Sequence, residues 1–232
     1  MSGAQAMVLA AGRGERMRPL TDLCPKPLLL VHGMPLIGWH LQALSDAGYR
    51  RAVVNTAWLG EQLERRFAAG HGLLQIDWSR EGLEFGEALE TAGGIARALP
   101  ALAEVFWVVA GDVYVPGFTF PAQALRRFAA GPRLAHLYLV PNPAHNPGGD
   151  FALQPDGSLS NDGAQRYTYS TIGLYRKAFF AGLPTGNPDG LKVPLAPMLR
   201  QAADNGQVSA ELYTGAWTDV GTPQRLAQLN SA

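Results

Sequence analysis

The stretch Ala6-Met-Val-Leu-Ala-Ala11 is unbroken apolar sequence, stopped by Gly12 and Gly14. A short continuous run of this kind predicts a strand buried on both faces. From Pro35 onward, Ile37, Leu41 and Leu44 recur at helical spacing as far as Gly48, which predicts a helix with a glycine stop. Arg51–Asn55 reads as a second strand, Leu59, Leu63 and Phe67 as a helix closed by Gly70, and Leu73–Trp78 as a third strand. A further helix is predicted from Gly93, carrying Ile95 and Leu99. It feeds Val105–Ala110, the most hydrophobic strand of the chain, which ends in Gly111-Asp112. Strands and helices alternating at this pitch predict the α/β class, with a doubly wound, mostly parallel, Rossmann-like sheet.

Beyond Asp112 the regularity loosens. Leu125 and Phe128 mark a helix and Leu134–Val140 a strand. Pro141–Asp150 then packs three prolines, two asparagines and two glycines into a loop. Phe151–Leu153, Tyr167–Tyr175 and Val208–Leu212 read as strands, and Leu191–Ala203 as a helix. With no internal repeat and no linker, residues 1–232 are expected to form one domain, with a first half to about residue 115 and a smaller, β-richer half over 116–232.

Composition narrows the partners. The 232 residues are 47% hydrophobic and 16% charged, with 19 basic side chains against 19 acidic ones. That neutrality excludes a broad basic face for nucleic acid or a membrane surface, so any anion site is local. Cys24 is the single cysteine, which rules out an intramolecular disulfide, and no Cys/His set has zinc spacing. The apolar runs fall well short of the ~20 residues of a membrane span, and the N-terminus lacks a signal pattern. A cytoplasmic location is expected; the pattern says nothing of oligomeric state.

The glycine turn after the first strand is where an α/β sheet binds ligands, because backbone N–H groups can approach phosphate oxygens there. A dinucleotide fingerprint would need glycine at Met17 and an acid at Asn55, and a P-loop would need Gly-Lys-Ser/Thr; neither is present. The loop carries Arg13, Arg16, Arg18 and Lys26 against Glu15 and Asp22. Lys26 stands between Pro25 and Pro27, which hold it on a stiff mount. A fixed ammonium suits charge stabilisation at a phosphoryl group; a solvated basic turn would leave the same trace.

Ala10-Ala-Gly-x-Gly-x-Arg-Met-x-Pro-Leu-Thr followed by Pro-Lys-Pro-Leu resembles the signature of the sugar-1-phosphate nucleotidylyltransferases. The resemblance continues through Glu90-Thr-Ala-Gly-Gly-Ile95, Val109-Ala-Gly-Asp112 and Trp217-Thr-Asp-Val-Gly-Thr-Pro223, over nearly the whole chain. The form of the glycine loop and Asn142-Pro-Ala-His-Asn-Pro-Gly-Gly-Asp-Phe151 look most like the bacterial N-acetylmuramate-1-phosphate uridylyltransferase branch. It implies the fold of nucleotide-diphospho-sugar transferases, with the first half holding the nucleotide and the second the sugar. It also implies Mg2+-dependent transfer of a nucleotidyl group from UTP to N-acetylmuramate 1-phosphate, as in cell-wall sugar recycling. GTP with mannose 1-phosphate, a phosphocholine-type cytidylyltransferase, and a degenerate nucleotide-sensing domain are the alternatives. The last predicts damage at Lys26, Asp112 or Asp219, and all three are intact.

Asp112 closes the most buried strand, on the sheet edge that carries the glycine loop. Asp219 precedes a helix that Thr222 can cap from Pro223. Two aspartates and no histidine suit Mg2+, which takes one or two carboxylates plus substrate phosphates; in the resembled family this pair binds the metal. The resemblance assigns Leu9, Ala10, Ala11, Gly12, Arg13, Gly14 and Arg16 to the triphosphate and Lys26 to the α-phosphate. Glu81, Thr91, Ala92 and Gly93 fall to the base, in a segment whose register residues 83–89 leave open. Asn142, Gly149, Asp150, Ser170, Thr171 and Gly173 are expected at the sugar. The family's Glu-Lys-Pro is replaced by Asp162-Gly-Ala-Gln-Arg166, leaving Arg166 or Lys192 for the sugar phosphate. His145 reads as a surface residue, and Trp39, Trp58, Trp78 and Trp107 as packing.

Overall fold

The computed structural model of the chain describes residues 3–231. In chain order its elements are β1 (Ala4–Leu9), the hairpin β2 (Leu30–Val31) and β3 (Met34–Pro35), α1 (Leu36–Asp46), β4 (Arg51–Thr56), α2 (Gly60–Arg66), β5 (Gln75–Arg80), α3 (Glu81–Phe85), α4 (Glu90–Ala98), β6 (Leu102–Ala110), β7 (Val113–Tyr114) and α5 (Ala122–Ala130). They continue with β8 (Ala135–Val140), β9 (Phe151–Leu153), β10 (Leu159–Ser160), β11 (Arg166–Arg176), α6 (Leu195–Asp204), β12 (Val208–Leu212), β13 (Thr218–Asp219) and α7 (Pro223–Ser231). None of the described helices is long and apolar enough to cross a membrane.

Strands β5-β4-β1-β6 run parallel in that spatial order, and β11 adds to β6 antiparallel. β11 also pairs with β8 and β9, and β12 lies parallel to β8. Period-2 alternation buries both faces. Ala52 and Val54 of β4 and Val105, Trp107 and Val109 of β6 meet Ile37, Leu41 and Leu44 of α1, Leu63 of α2 and Phe128 of α5. Their neighbours Val53, Phe106 and Val108 point the other way, onto Ile95 of α4 and Leu195 and Leu199 of α6. The double winding expected from the sequence is thus present.

The strand order reverses its direction of growth at β1/β6, the place where α/β sheets hold ligands beyond their carboxyl ends. Leu9 pairs with Ala110 and the Gly111 amide donates to the Leu9 carbonyl at 2.8 Å. The glycine loop and Asp112 therefore leave the sheet side by side.

Two helix starts differ from the sequence reading. α4 begins at Glu90, so Gly93 and Gly94 lie inside it. A Cβ on Gly93 would strike the Leu191 carbonyl, and one on Gly94 would sit 2.5 Å from Glu81 Oε1. The glycine pair marks close packing, not a helix boundary. α6 begins at Leu195, after Pro194, because Val193 is held extended: its N–H donates to Leu89 O and its carbonyl accepts from Ala92 and Gly93. Residues 72–73 form a turn and Leu74 makes only an isolated bridge with His71 before β5, and the short helix α3 has no periodic signal.

Beneath Asp112, His40 of α1 is 1% exposed, with Nε2 2.9 Å from the Val113 carbonyl. The neutral ring donates there and pins β7. Burial lowers its pKa from 6.5 to about 4, against the opposing effects of the Val113 bond and the Asp112 charge. The unfolded chain binds this proton near 6.5 and the folded one only near 4, so the contribution to stability is complete above 6.5 and is lost as pH falls toward 4. We expect this residue to cost about 2 kcal/mol between pH 7.5 and 5. Urea denaturation of the parent and His40→Gln at both pH values checks it, the variant lacking that increment.

Candidate active site

A cleft of about 500 Å3 opens beyond β1 and β6, lined by residues 9–17, Lys26, Pro27, Asn55, Glu81, Ala88, Glu90, Thr91, Ala110, Asp112 and Gly221. Its phosphate-sized corner is built by the glycine loop. Gly14 takes φ 69°, and a Cβ there would stand 3.1 Å from both Lys26 Cβ and Thr21 Cγ2. Thr21 Oγ1 ties the loop by donating to the Gly14 carbonyl at 2.9 Å. Among the described residues, the amides of Ala11, Gly12, Arg13 and Gly14 donate to no protein acceptor. A run of N–H groups without protein acceptors at a glycine turn is the raw material of an anion cradle.

The loop is less cationic than its composition suggests. Arg13 donates to Thr21 O at 2.8 Å and Asp22 Oδ1 at 3.1 Å, and lies 3.8 Å over the Trp58 ring. Arg18 pairs with Asp22 at 2.8 Å. Both arginines are spent on shaping the loop, and Trp58, expected only as packing, is the platform beneath one of them. Trp58 Nε1 also donates to Thr21 O at 2.9 Å. Arg16 is exposed and makes no ion pair among the described residues.

Lys26 opens a 3-10 turn, Lys26–Leu28, after the extended Pro25. Only 6% exposed, it donates from Nζ to Asp112 Oδ2 at 2.6 Å. A buried ammonium needs such a partner, because desolvating it alone costs several kcal/mol. Asp219 reaches the same place through the ladder of β13 with β7: Asp219 stands opposite Val113, and the Val220 amide donates to Asp112 O at 3.3 Å. Asp219 Oδ2 accepts from Arg225 Nη1 at 2.7 Å and lies 3.3 Å from His145 Nε2. His145 is exposed on loop 141–150, as expected, and its ring also meets the Asp219 carboxylate. Arg225, one turn into α7, carries no motif of its own and escaped the sequence reading.

The donor set fits a magnesium ion in kind. It offers two carboxylates, each now neutralised by a cation, and among the described residues no group of three His, Cys, Asp or Glu side chains that would replace substrate oxygens.

On the opposite wall, Glu81 is wholly buried. Asn55 Nδ2 donates to Oε1 at 2.7 Å, the Leu89 amide to Oε2 at 2.8 Å, and Asn55 Oδ1 accepts from the Ala10 amide at 2.8 Å. Burial raises the carboxyl's pKa, and these two donors pull it back. The amides of Ala92 and Gly93 both donate to Val193 O, at 2.9 and 3.1 Å. Of the expected base-reading set, Glu81, Ala92 and Gly93 are therefore engaged in bracing the wall. Thr91 lines the cleft, beside Ala88 and Glu90.

The expected sugar residues fall into two groups. Asn142 donates to Pro147 O and Arg166 O and accepts from Thr168; Asp150 accepts from Asn146 and the Tyr169 amide. Gly149, at φ 62°, leaves 2.8 Å between a Cβ position and Arg166 C. These hold loop 141–150 on the outer end of β11, where Asn142 and Arg166 line a separate recess. Lys192 ion-pairs with Glu87 on the base side of the cleft instead of standing in the sugar half. Ser170 is buried, its Oγ donating to Tyr138 O, and a Cβ on Gly173 would crowd His136 O and the Tyr175 ring at 3.0 Å. Thr171 differs: it takes φ 66° and its buried Oγ1 has no partner.

Because Glu81 accepts from two buried donors, Glu81→Gln turns an amide NH2 toward one of them. We expect a loss of about 1–3 kcal/mol in unfolding free energy, read from urea denaturation at pH 7.5.

Residues 6–147 match the family model of the MobA-like NTP transferase domain. The chain is 47% identical over 230 residues to an N-acetylmuramate alpha-1-phosphate uridylyltransferase of Neisseria meningitidis serogroup B, covering 97% of this chain and 96% of that one. It is 33% identical to a protein of the same name from Caulobacter vibrioides, with 94% and 92% covered. It is 28% identical to the mannose-1-phosphate guanylyltransferase catalytic subunit beta of Drosophila melanogaster, covering 96% of this chain and 61% of that one. In fold it resembles HddC from Yersinia pseudotuberculosis complexed with GMP-PN, with a TM-score of 0.73, 16% identity and 98% of each chain covered. The inositol-1-phosphate CTP transferase from T. maritima gives a TM-score of 0.69 at 20% identity, over 100% of this chain and 97% of that one. The chain belongs to the family of MobA-like NTP transferase domains and is a nucleotidyltransferase.

Proposed function

We propose that the protein transfers UMP from UTP to N-acetylmuramate 1-phosphate, with Mg2+, giving the UDP-sugar and pyrophosphate. The observation that carries this reading is the Lys26–Asp112 pair at 2.6 Å, set against four unpaired loop amides at the β1/β6 switch point. Identity over nearly the full length to the Neisseria protein supports the choice of base and sugar over the guanylyl alternative.

An oxygen of the sugar phosphate attacks the α-phosphorus; the new P–O bond forms as the bond to the β-phosphate oxygen breaks, and pyrophosphate leaves in line. A phosphate monoester has a second pKa of about 6 and is largely dianionic at neutral pH, so no general base is required. What the protein supplies is position and positive charge. The amides of residues 11–14 and Arg16 hold the β- and γ-phosphates, with the base against Ala88–Thr91. Lys26 turns from Asp112 to the α-phosphate, where charge builds in the transition state. Asp112 and Asp219 are the residues to hold Mg2+, which when bound screens the phosphate charges and orients the triphosphate.

Purified protein with Mg2+, crossing ribonucleoside triphosphates and dTTP with a panel of sugar 1-phosphates and phosphocholine, will show pyrophosphate release first and fastest for UTP with N-acetylmuramate 1-phosphate. Faster release from GTP with mannose 1-phosphate would replace these substrates, and release from no pair would remove the activity. Asp112→Asn is expected to lower kcat by roughly 10³-fold; a rate within tenfold of the parent would take this carboxylate out of the mechanism.

A further inference from the structure

We infer that Arg225 is the residue that receives the phosphate of the acceptor sugar phosphate, and that Asp219 parks it until then. The inference rests on the nucleotidyl-transfer reading. That reading leaves an electrostatic gap: a dianionic acceptor must come within bonding distance of a polyanionic triphosphate, while Lys26 and Arg16 stand on the nucleotide side. A third cation is required on the acceptor side.

Arg225 is the cation that the fold puts there. Its Nη1 donates to Asp219 Oδ2 at 2.7 Å and to the Asp219 carbonyl at 3.0 Å, and its backbone amide donates to Thr222 Oγ1 at 3.3 Å in the first turn of α7. Among the described residues its Nε and Nη2 have no acceptor, so one side of the guanidinium fork is free for the two-point grip that suits a phosphate. Position distinguishes acceptor from nucleotide. A Cβ at Gly221, in the cleft wall, would stand 3.0 Å from Arg225 Nη1 and from Asp219 Oδ2 and 3.2 Å from Arg16 Nη2. Arg225 and Asp219 thus border the cleft at Gly221, where the nucleotide loop's Arg16 also comes near, and Asp219 meets His145 of loop 141–150 in the sugar half. Arg225 Nη1 lies 3.5 Å from His145 Nε2.

Three cations that might compete for this role have other partners. Lys192 is paired with Glu87, Arg166 donates to Asp150 O at 2.6 Å beside the separate recess, and Arg176 donates to four main-chain carbonyls behind the sheet. Arg225 is therefore a place-holder: it neutralises Asp219 and exchanges that carboxylate for the acceptor phosphate when Asp219 engages a divalent cation.

Arg225→Gln and Arg225→Lys separate this role from mere support of Asp219. In Arg225→Gln, KM for the sugar 1-phosphate should rise about 10- to 100-fold while KM for UTP stays within about threefold. Arg225→Lys should recover most of that loss. Mn2+ alone, titrated into nucleotide-free protein and followed by the EPR signal of the free ion, should bind Arg225→Gln no more weakly than the parent, because a competitor for Asp219 has gone. An unmoved acceptor KM, a parallel rise in KM for UTP, failure of lysine to rescue, or weaker Mn2+ binding each overturns the assignment. Circular dichroism confirms that both variants are folded. Pyrophosphate release by the parent with an unchanged acceptor KM in the variant defeats Arg225 alone; no release by the parent with any acceptor defeats the functional reading as well.

Discussion

The parallel pairing of β1 with β6 is the constraint from which the site follows. With Leu9 opposite Ala110, the backbone of one strand ends in unpaired amides and that of the other in Asp112, at the same height on the sheet. The flanking strands run outward in opposite directions from the pair, so no neighbouring loop crosses above it, and the cleft is a consequence of winding order. Everything placed there afterwards is attached to these two ends. His40 fastens β7 just after Asp112, β7 carries β13, and β13 carries Asp219. Asn55 and Glu81 fasten the β1 end to the opposite wall.

The site is electrically settled by its own side chains. Lys26 lies within 2.6 Å of Asp112 and Arg225 within 2.7 Å of Asp219, so each carboxylate has its own cation. For the buried lysine this matters most, since an unpaired charge at that depth would raise its own desolvation penalty of several kcal/mol. Arg225 and Asp219 are more open, each side chain 21% exposed, and their bond is correspondingly weaker and easier to exchange. Ligand binding therefore redistributes charge: phosphates and a divalent ion enter by taking over partners that the protein already holds in pairs. A neutral chain with 19 charges of each sign can build such a site without attracting polyanions elsewhere.

What was legible in the sequence is what depends on local pattern. Buried strands announce themselves as apolar runs, and the glycine loop and Lys26 between two prolines are fixed by neighbours in the chain. Asp112 could be placed because it terminates a strand. The failures come from contacts that no local periodicity shows, some between distant segments and some where a loop folds back on itself. Gly93 and Gly94 read as a helix start, yet they are glycines because Leu191 and Glu81 press against them from other elements. Arg13 and Arg18 counted as free cations until Asp22 folded back on both. Trp58 gave no hint that Arg13 would lie on it. His145 looked like any loop histidine, and Arg225 like any helix arginine, because their meaning is the carboxylate that each meets, 74 residues downstream of His145 and six before Arg225.

Thr171 shows how the second half stores strain next to the cleft. Ile172 pairs with Val109 on antiparallel β6, so Thr171 adjoins Ala110, which lines the cleft while Thr171 does not. A β-branched residue at φ 66° carries strain of about 1–3 kcal/mol, and it persists only where surroundings over-determine the backbone. They do so here. Ser170 Oγ donates to Tyr138 O and accepts from the Ile172 amide, Trp217 Nε1 donates to Ser170 O, and the register with β8 shifts between Tyr169 and Gly173. Bonds on both sides of Thr171 hold the kink, while its own hydroxyl is left without a partner. The strained backbone and the unsatisfied hydroxyl are thus both costs, and the hydrogen bonds on either side of Thr171 are what offset them.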